Sequence, residues 1–421
     1  MTHRVNKYNM KESTRNFLLF ILVTYSQLCY TQKNVLLSGM SKTGGLYGKG
    51  YSFTYNVQNN KKQIIYNYST SDSIPRILIE HVLNDSIICG VSYMGGKNND
   101  GYIYKFNTIK NKYSVLLYIE DVEYMVLKDS AESTKKHGIR NPDEEEWPLV
   151  EECIKGSDGN LYIMADGKFC KNCYGILFSV DPKTAEAKIL HRFDGKDLYV
   201  GGYSHTLFQA KDGNIYGVCA GGSSNAGVFF CYDIRRKEFR KLTEFIGSNG
   251  AFPTGDIVQT KDSKMYGIAK GESAGRDMAE ANDTAKENHH CRILYCFDPA
   301  TNSISFVKGF NNTITGCPSE ELILAKDNYI YGTGEMTTDT QYLNILYRYT
   351  ISTGKYEEIY KMYVIRDVLE ASDGNIYFEG NDEKSDEANE IYQYNPTTGK
   401  ITQVLKLNKD EYLSGNLIQL R

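Results

Sequence analysis

The sequence predicts an all-β protein, a seven-bladed β-propeller of four-stranded antiparallel blades whose ring is closed by the C-terminal strand joining the N-terminal blade. Three observations predict it: a recurring pentapeptide, a four-strand pattern inside each repeat, and two incomplete half-blades at the chain ends. The pentapeptide reads Asp158-Gly159-Asn160-Leu161-Tyr162, Asp212-Gly213-Asn214-Ile215-Tyr216 and Asp373-Gly374-Asn375-Ile376-Tyr377. Degraded copies stand at Asp262-Ser263-Lys264-Met265-Tyr266 and Asp327-Asn328-Tyr329-Ile330-Tyr331. A fixed motif at a period of roughly 50 residues marks a repeat architecture.

The clearest unit runs from Ser204 to Phe245. It opens with the apolar run Thr206-Leu207-Phe208-Gln209-Ala210, and Asp212-Gly213 follows as a hairpin signal, because Gly accepts positive φ without steric cost. Ile215-Tyr216-Gly217-Val218-Cys219 is a second strand, a polar loop spans Gly221 to Gly227, and Val228-Phe229-Phe230-Cys231-Tyr232 and Phe239-Arg240-Lys241-Leu242-Thr243 are the third and fourth strands. Short aromatic and β-branched runs with turn signals every ~8–12 residues read as strands, and no useful length carries helical periodicity. Four antiparallel strands per unit is a propeller blade.

Counting third strands sets the blade number. They begin at Tyr51, Tyr102, Ile176, Val228, Ile293, Ile345 and Ile391, which makes seven. The chain ends in Leu413-Ser414-Gly415-Asn416-Leu417-Ile418-Gln419-Leu420, a first strand with no blade after it. Asn34-Val35-Leu36-Leu37-Ser38-Gly39 reads as a second strand with nothing before it. Pairing the two closes the ring and leaves no sheet edge open between the termini.

These units resemble the GloVer-type tandem repeats of bacterial secreted proteins, whose pattern is close to G-L-I-Q-x-x-D-G-N-L-Y-G. They are more distantly similar to the streptogramin-lyase type of seven-bladed propeller; Asp373 to Phe378, followed by Pro396-Thr397-Thr398-Gly399-Lys400-Ile401-Thr402, is the nearest local match. The resemblance spans almost the whole chain after residue 31 and implies a fold. The lyases place catalytic His and Glu residues around a metal at the centre of one face. No matching His–Glu grouping is found among the histidines here, so no catalytic residue is carried over.

Residues 1–31 read as a secretory signal: Lys11 and Arg15 precede the apolar run 17–23, and polar and small residues follow. That run is too short for a membrane span, and the sequence before Cys29 is a poor lipidation signal. Residues 32–421 are expected to form one domain, exported to periplasm, outer surface or medium. The net charge of −4 and the lack of a basic stripe argue against nucleic acid. The 34 Tyr against a single Trp suit half-buried strands with a wet end. The repeated Tyr162, Tyr216, Tyr266, Tyr331 and Tyr377 fit blade-to-blade packing better than a ligand-stacking ring.

Nine cysteines follow the signal, an odd number. Cys170 and Cys173 read as a loop disulfide or inert thiols in preference to half a zinc site or a redox pair. Cys219 and Cys231 flank one hairpin and are a possible disulfide. Cys231 and Cys296 share a repeat position, which argues for a core slot. Polar inserts at 128–146 and 271–290 follow a fourth and a second strand, so both should decorate one face. The turn of Cys170 and Cys173 and the acidic loop containing Asp382, Glu383, Asp386 and Glu387 would join them there; His289 and His290 end the second insert. Each insert also holds an Asp-Ser/Thr-Ala sequence, at Asp129 and Asp283, which resembles the O-glycosylation signal of exported Bacteroidetes proteins. Insertions on one face of a repeat protein often mark its binding face.

The expectation is therefore an exported, monomeric, non-catalytic binding module that recognises a protein or glycan partner through its decorated face. No metal, cofactor or membrane span is expected. The alternatives are a metal-dependent lyase or hydrolase of the streptogramin-lyase type and a structural module of an envelope assembly.

Overall fold

The computed structural model describes residues 34–68, 78–84, 86–92, 101–119, 121–122, 150–166, 174–195, 198–200, 205–271, 291–311, 315–337 and 341–420. The segment 1–31, Cys29, Cys170, Cys173, the insert 128–146 and residues 272–290 with His289 and His290 lie outside them.

Seven antiparallel sheets form the seven blades. Blade 1 pairs the C-terminal strand Leu413–Leu420 with Leu36–Ser41, followed by Tyr51–Asn56 and Lys61–Asn67. The expected closure is thus realised, with Leu36 opposite Leu420 and Ser41 opposite Leu413. The inner strands of blades 2 to 7 are Leu78–Asn84, Val150–Lys155, His205–Gln209, Ala251–Gln259, Cys317–Leu324 and Val364–Glu370. In blade 4 the short strand Leu198–Tyr199 extends the inner row by pairing with Gly221 and Ala220.

The motif explains itself in atoms. Asp212 Oδ1 accepts the Asn214 N–H at 2.9 Å, and Oδ2 accepts the Tyr216 hydroxyl at 2.9 Å. The same pair of contacts recurs around Asp158 and Asp373. The repeated tyrosines are therefore structural: each is buried in the blade, and in the three intact copies the hydroxyl clamps its own turn. The hairpin differs in one respect from the two-residue turn that Asp-Gly suggests. Ala210 N–H bonds the Asn214 carbonyl, which leaves a three-residue loop with only Gly213 at positive φ (88°). That is a type I turn followed by a left-handed residue. The degraded copies meet the same demand with Ser263 (φ 72°) and Asn328 (φ 64°).

Two further regularities set the blade shape. Every outer strand carries a bulge opposite the same third-strand aromatic, namely Phe53, Tyr104, Phe178, Phe230, Tyr295, Tyr347 and Tyr392; a bulge adds local twist. In five blades that aromatic faces a second-strand glycine: Gly39, Gly90, Gly217, Gly267 or Gly332. A methyl group on Gly217 would come within 2.5 Å of both the Phe230 ring and the Thr206 carbonyl. The glycine is therefore required by a close ring approach. The core lies between blades, where second and third strands are buried on both faces; Phe229 of blade 4 stacks on Phe297 of blade 5 at 4.2 Å.

A disulfide joins Cys291, just before the third strand of blade 5, to Cys317 at the start of the inner strand of blade 6. The Cys219–Cys231 pairing is corrected: both thiols are free and buried. Cys219 lies opposite Val228 and Cys231 opposite Tyr216. The odd spacing places the two on opposite faces of the sheet, in different core clusters. Cys231 and Cys296 do share a slot, each opposite the motif tyrosine.

Candidate functional site: a carboxylate belt on the inner strands

Around the central axis the inner strands touch chiefly through side chains. At the turn end, the residue three before the motif Asp, and its counterpart Gln419 in blade 1, stitches four of the seams; Leu324 holds that place in blade 6. Gln209 accepts the Ser157 N–H of blade 3 at 2.6 Å, and Gln259 that of Lys211 in blade 4 at 2.8 Å. Glu370 accepts Lys326 N–H at 3.1 Å and Gln419 accepts Ser372 N–H at 2.7 Å. The seams between blades 3 and 4, 4 and 5, 6 and 7, and 7 and 1 are thus tied by one repeated hydrogen bond to a backbone donor.

Three residues further along lies the position with chemistry. It holds Glu152, Asp256, Glu321 and Asp367 in blades 3, 5, 6 and 7, each six residues before its motif Asp. Thr206 takes the same place in blade 4 and donates its hydroxyl to the Gly255 carbonyl at 2.7 Å. Asp256 Oδ2 accepts the Leu322 N–H at 3.1 Å, and Glu321 Oε2 accepts the Asp367 N–H at 2.8 Å. Thr333 also donates to Glu321, at 3.3 Å. Glu152 caps the adjacent Cys153 N–H at 2.8 Å. Glu152, Glu321 and Asp367 are half-buried, and Asp256 is open to the channel.

The backbone deforms where the acids stand. Inner strands of blades 3, 5, 6 and 7 shift register at Val150/Glu152, Thr254/Val258, Pro318/Leu322 and Arg366/Leu369. Asp367 itself adopts φ 57°, a left-handed conformation that costs a non-glycine residue about 1 kcal/mol or more. Gly255 permits the blade 5–6 approach, since a Cβ there would sit 1.9 Å from the Glu320 carbonyl. Bulges of this kind re-aim side chains and are over-represented beside active sites.

The electrostatics are those of crowded, enclosed acids. Enclosure pushes Glu152 up to about 8, and repulsion from Asp256 and Glu320 adds to it. Asp256 rises to about 7 by enclosure, against the Leu322 N–H and with Glu321 and Glu320 adding repulsion. Asp256 is nonetheless solvent-exposed, which weakens the effect of that enclosure. Burial raises Glu321 despite its two donors, and it raises Asp367 well above the carboxylate range with Glu379 and Glu321 adding to it. Glu379, on the second strand of blade 7, is wholly buried. Its Oε2 accepts Arg366 Nε at 3.1 Å, while Oε1 has no partner.

His81 of blade 2 is held neutral by burial, and its Nε2 meets the Cys153 carbonyl at 2.9 Å. A carbonyl only accepts, so Nε2 carries the proton. This histidine fastens blade 2 to blade 3 and is not poised as a base. Among the described residues no group of three or more His, Cys, Asp or Glu side chains is placed to hold a metal ion.

The acidic loop of blade 7 lies apart from the belt, between strands Ile376–Asn381 and Glu390–Tyr394. Its backbone is ordered by Asn381, whose amide donates to the Glu387 carbonyl at 2.9 Å and whose carbonyl accepts the Glu383 N–H at 2.9 Å. Glu387 pairs with Lys42, and Glu383 with Lys406 at 3.5 Å. Asp382 and Asp386 are exposed. Two of the four candidate carboxylates are therefore matched by lysines of the chain itself. Glu152, Asp256, Glu321 and Asp367 do not stand out in the sequence, because they lie inside the repeat and not at its exceptions. The usable signal was an acid at a constant six-residue offset from the motif.

Residues 141–278 match the Gloeobacter/Verrucomicrobia repeat. No curated protein matches the chain in sequence. Solved structures similar in fold include a putative 6-phosphogluconolactonase from Bacteroides fragilis, at 11% identity and TM-score 0.54, covering 93% of this chain and 99% of that one. An oligogalacturonate lyase from Vibrio parahaemolyticus is similar at 11% identity and TM-score 0.53, with 88% and 85% covered. The β-propeller domain of the Trilobed protease from Pyrococcus furiosus is similar at 13% identity and TM-score 0.50, with 89% and 95% covered. At these identities the likeness extends to the fold.

Proposed function

We propose that this seven-bladed propeller, carrying the Gloeobacter/Verrucomicrobia repeat, is an exported binding module that takes part of a protein or glycan partner into its central channel without transforming it. The observation that carries this reading is the belt of Glu152, Asp256, Glu321 and Asp367 at one register of four inner strands. Enclosed groups with strongly perturbed proton affinity are uncommon away from functional sites, and concave channels are the usual place for ligands. Strand alternation puts the ends of the second and fourth strands on one face of the disc, and in the sequence the polar segments 128–146 and 271–290 follow such ends. Export is supported by the signal-like segment 1–31 and by the Cys291–Cys317 disulfide, which suits an oxidising compartment.

One observation favours a catalytic reading. Carboxyls at about 8 and about 7, on Glu152 and Asp256, are matched to general acid–base work near neutral pH. The fold neighbours include a putative lactonase and a lyase, but propellers host unrelated activities.

The test uses residues 32–421 on a panel of defined glycans and peptides, reading binding and product together. Saturable binding that is lost in an Asp256→Asn, Glu321→Gln double variant, with no product, is the expected result. Product formation that disappears in the same variant would replace the binding reading with the catalytic one. Binding unaffected by the double variant would move the site away from the channel.

A further inference from the structure

We propose that the channel is a receptor for a basic side chain, accepting the guanidinium or ammonium group of an arginine or lysine presented by a peptide segment of a partner. The proposal rests on the channel being the binding site and names the chemistry that would enter it.

Charge and hydrogen-bond accounting carry it. Six carboxylates (Glu152, Asp256, Glu320, Glu321, Asp367 and Glu379) influence one another across blades 3, 5, 6 and 7. The cations that sense them are Arg292, Arg366 and Lys270. Arg366 is committed: Nε serves Glu379 and Nη2 donates to the Leu413 carbonyl at 2.5 Å. Arg292 reaches Glu320 with Nη2 at 3.7 Å. Six acids outnumber three cations, and the excess is held neutral by protons. A cation entering among them would take the place of those protons.

Unpaired buried atoms point the same way. Glu379 Oε1 is sealed from solvent with no donor, and the charges it senses are those of Arg366 and Glu321 on the inner strands. Arg292 Nη1 is likewise buried without an acceptor, and the Tyr347 hydroxyl beside Glu321 and Arg292 is buried and unpaired. Such atoms are costly unless a ligand completes them. A peptide brings both halves: a cationic side chain for the carboxylates and backbone carbonyls for Arg292. A guanidinium offers five donors in a planar fork suited to paired carboxylates. Raised proton affinity at Glu152 and Asp256 is the expected state of such a belt before a cation arrives.

The test is calorimetric, with residues 32–421 at pH 8 and four probes. These are a glycine-flanked pentapeptide with central arginine, the same peptide with citrulline as an uncharged isostere, the same peptide with lysine, and spermidine as a cation without a peptide backbone. The arginine peptide is expected to bind saturably and more tightly than the citrulline peptide by about tenfold or more. Asp256→Asn and Glu152→Gln should each weaken it by a similar factor. Both replacements are isosteric, and a melting temperature no lower than the parent's would show that the fold survives. Equal binding of the arginine and citrulline peptides, or spermidine binding as tightly as the arginine peptide, would overturn the proposal. So would a failure of every cationic probe. In that last case, a neutral partner whose binding is still lost in the Asp256→Asn, Glu321→Gln variant would leave the channel as the binding site and remove only the basic side chain from it.

Discussion

The carboxylate of Glu321 in blade 6 accepts the backbone N–H of Asp367 in blade 7 at 2.8 Å. One acid thus closes a seam between blades while the next acid in the belt supplies the donor. Asp256 does the same for Leu322 across the blade 5–6 seam, at 3.1 Å. These acids have a structural duty besides any ligand, and the two duties separate by substitution. Glu321→Gln keeps an acceptor oxygen and should leave the denaturant midpoint nearly unchanged. Glu321→Leu strands the Asp367 N–H and should cost about 1–3 kcal/mol, read from urea unfolding at constant slope.

The belt should make stability fall with rising pH. Glu152 has an ordinary value of 4.5 and stands at about 8 in the folded chain. Between those values the native state holds a proton that the unfolded chain has released. Unfolding is then favoured as pH rises through this window. Burial also raises Asp256, Glu321, Asp367 and Glu379, with Arg366 opposing at the last three and His81 staying neutral. We expect Glu152→Gln to be more stable than the parent at pH 9 by on the order of 1–2 kcal/mol, the channel water reducing the full effect. At pH 4 the two should be equal. A parent that gains stability between pH 5 and 9 from this residue would contradict the assignment.

Two glycines from the same repeat should differ in kind. Gly217→Ala places a methyl 2.5 Å from the Phe230 ring and from a backbone carbonyl, so overpacking should cost about 2–3 kcal/mol. Gly213→Ala meets nothing within 4 Å but keeps φ at 88°. Its cost should be the conformational one, about 1–2 kcal/mol. Gly213→Asn should recover part of it, as Asn328 does in blade 6. Thermal melts of the three variants give the comparison.

Reduction should act on one identified bond among the described residues. The Cys291–Cys317 bridge closes a separation of 26 residues, for which the loop-entropy estimate is about 3 kcal/mol. A Cys291→Ser, Cys317→Ser variant should melt at lower temperature and lose its sensitivity to reductant. Cys219→Ser and Cys231→Ser should leave reductant sensitivity intact, because those thiols are unpaired. Peptide mapping under alkylation checks both statements.

Much of the architecture is written locally. Asp212, Gly213, Asn214 and Tyr216 complete their bonds within five residues, so a linear motif is enough to place a hairpin. Seven third strands and two half-blades gave the ring and its closure, since alternating apolar runs specify strands whatever lies far away. The repeated Gln of the motif, met here at Gln209, Gln259 and Gln419, was visible as a letter but not as a contact, because its partner is a backbone N–H some 50 residues away.

The sequence by itself determined the fold, the blade count, the place of the hairpin turns and the structural role of the repeated tyrosines, all of which depend on short-range bonding and strand periodicity. Only the tertiary structure decided that Cys219 and Cys231 lie on opposite faces of one sheet and that Cys291 meets Cys317 across a blade seam. Only it gathered Glu152, Asp256, Glu321 and Asp367, which span more than 200 residues of sequence, around one axis. Repetition puts an acid at the same register in four blades, and ring closure converts that register into proximity. Proximity, with enclosure by the channel wall, is what raises the proton affinity of these groups and makes the channel the candidate site.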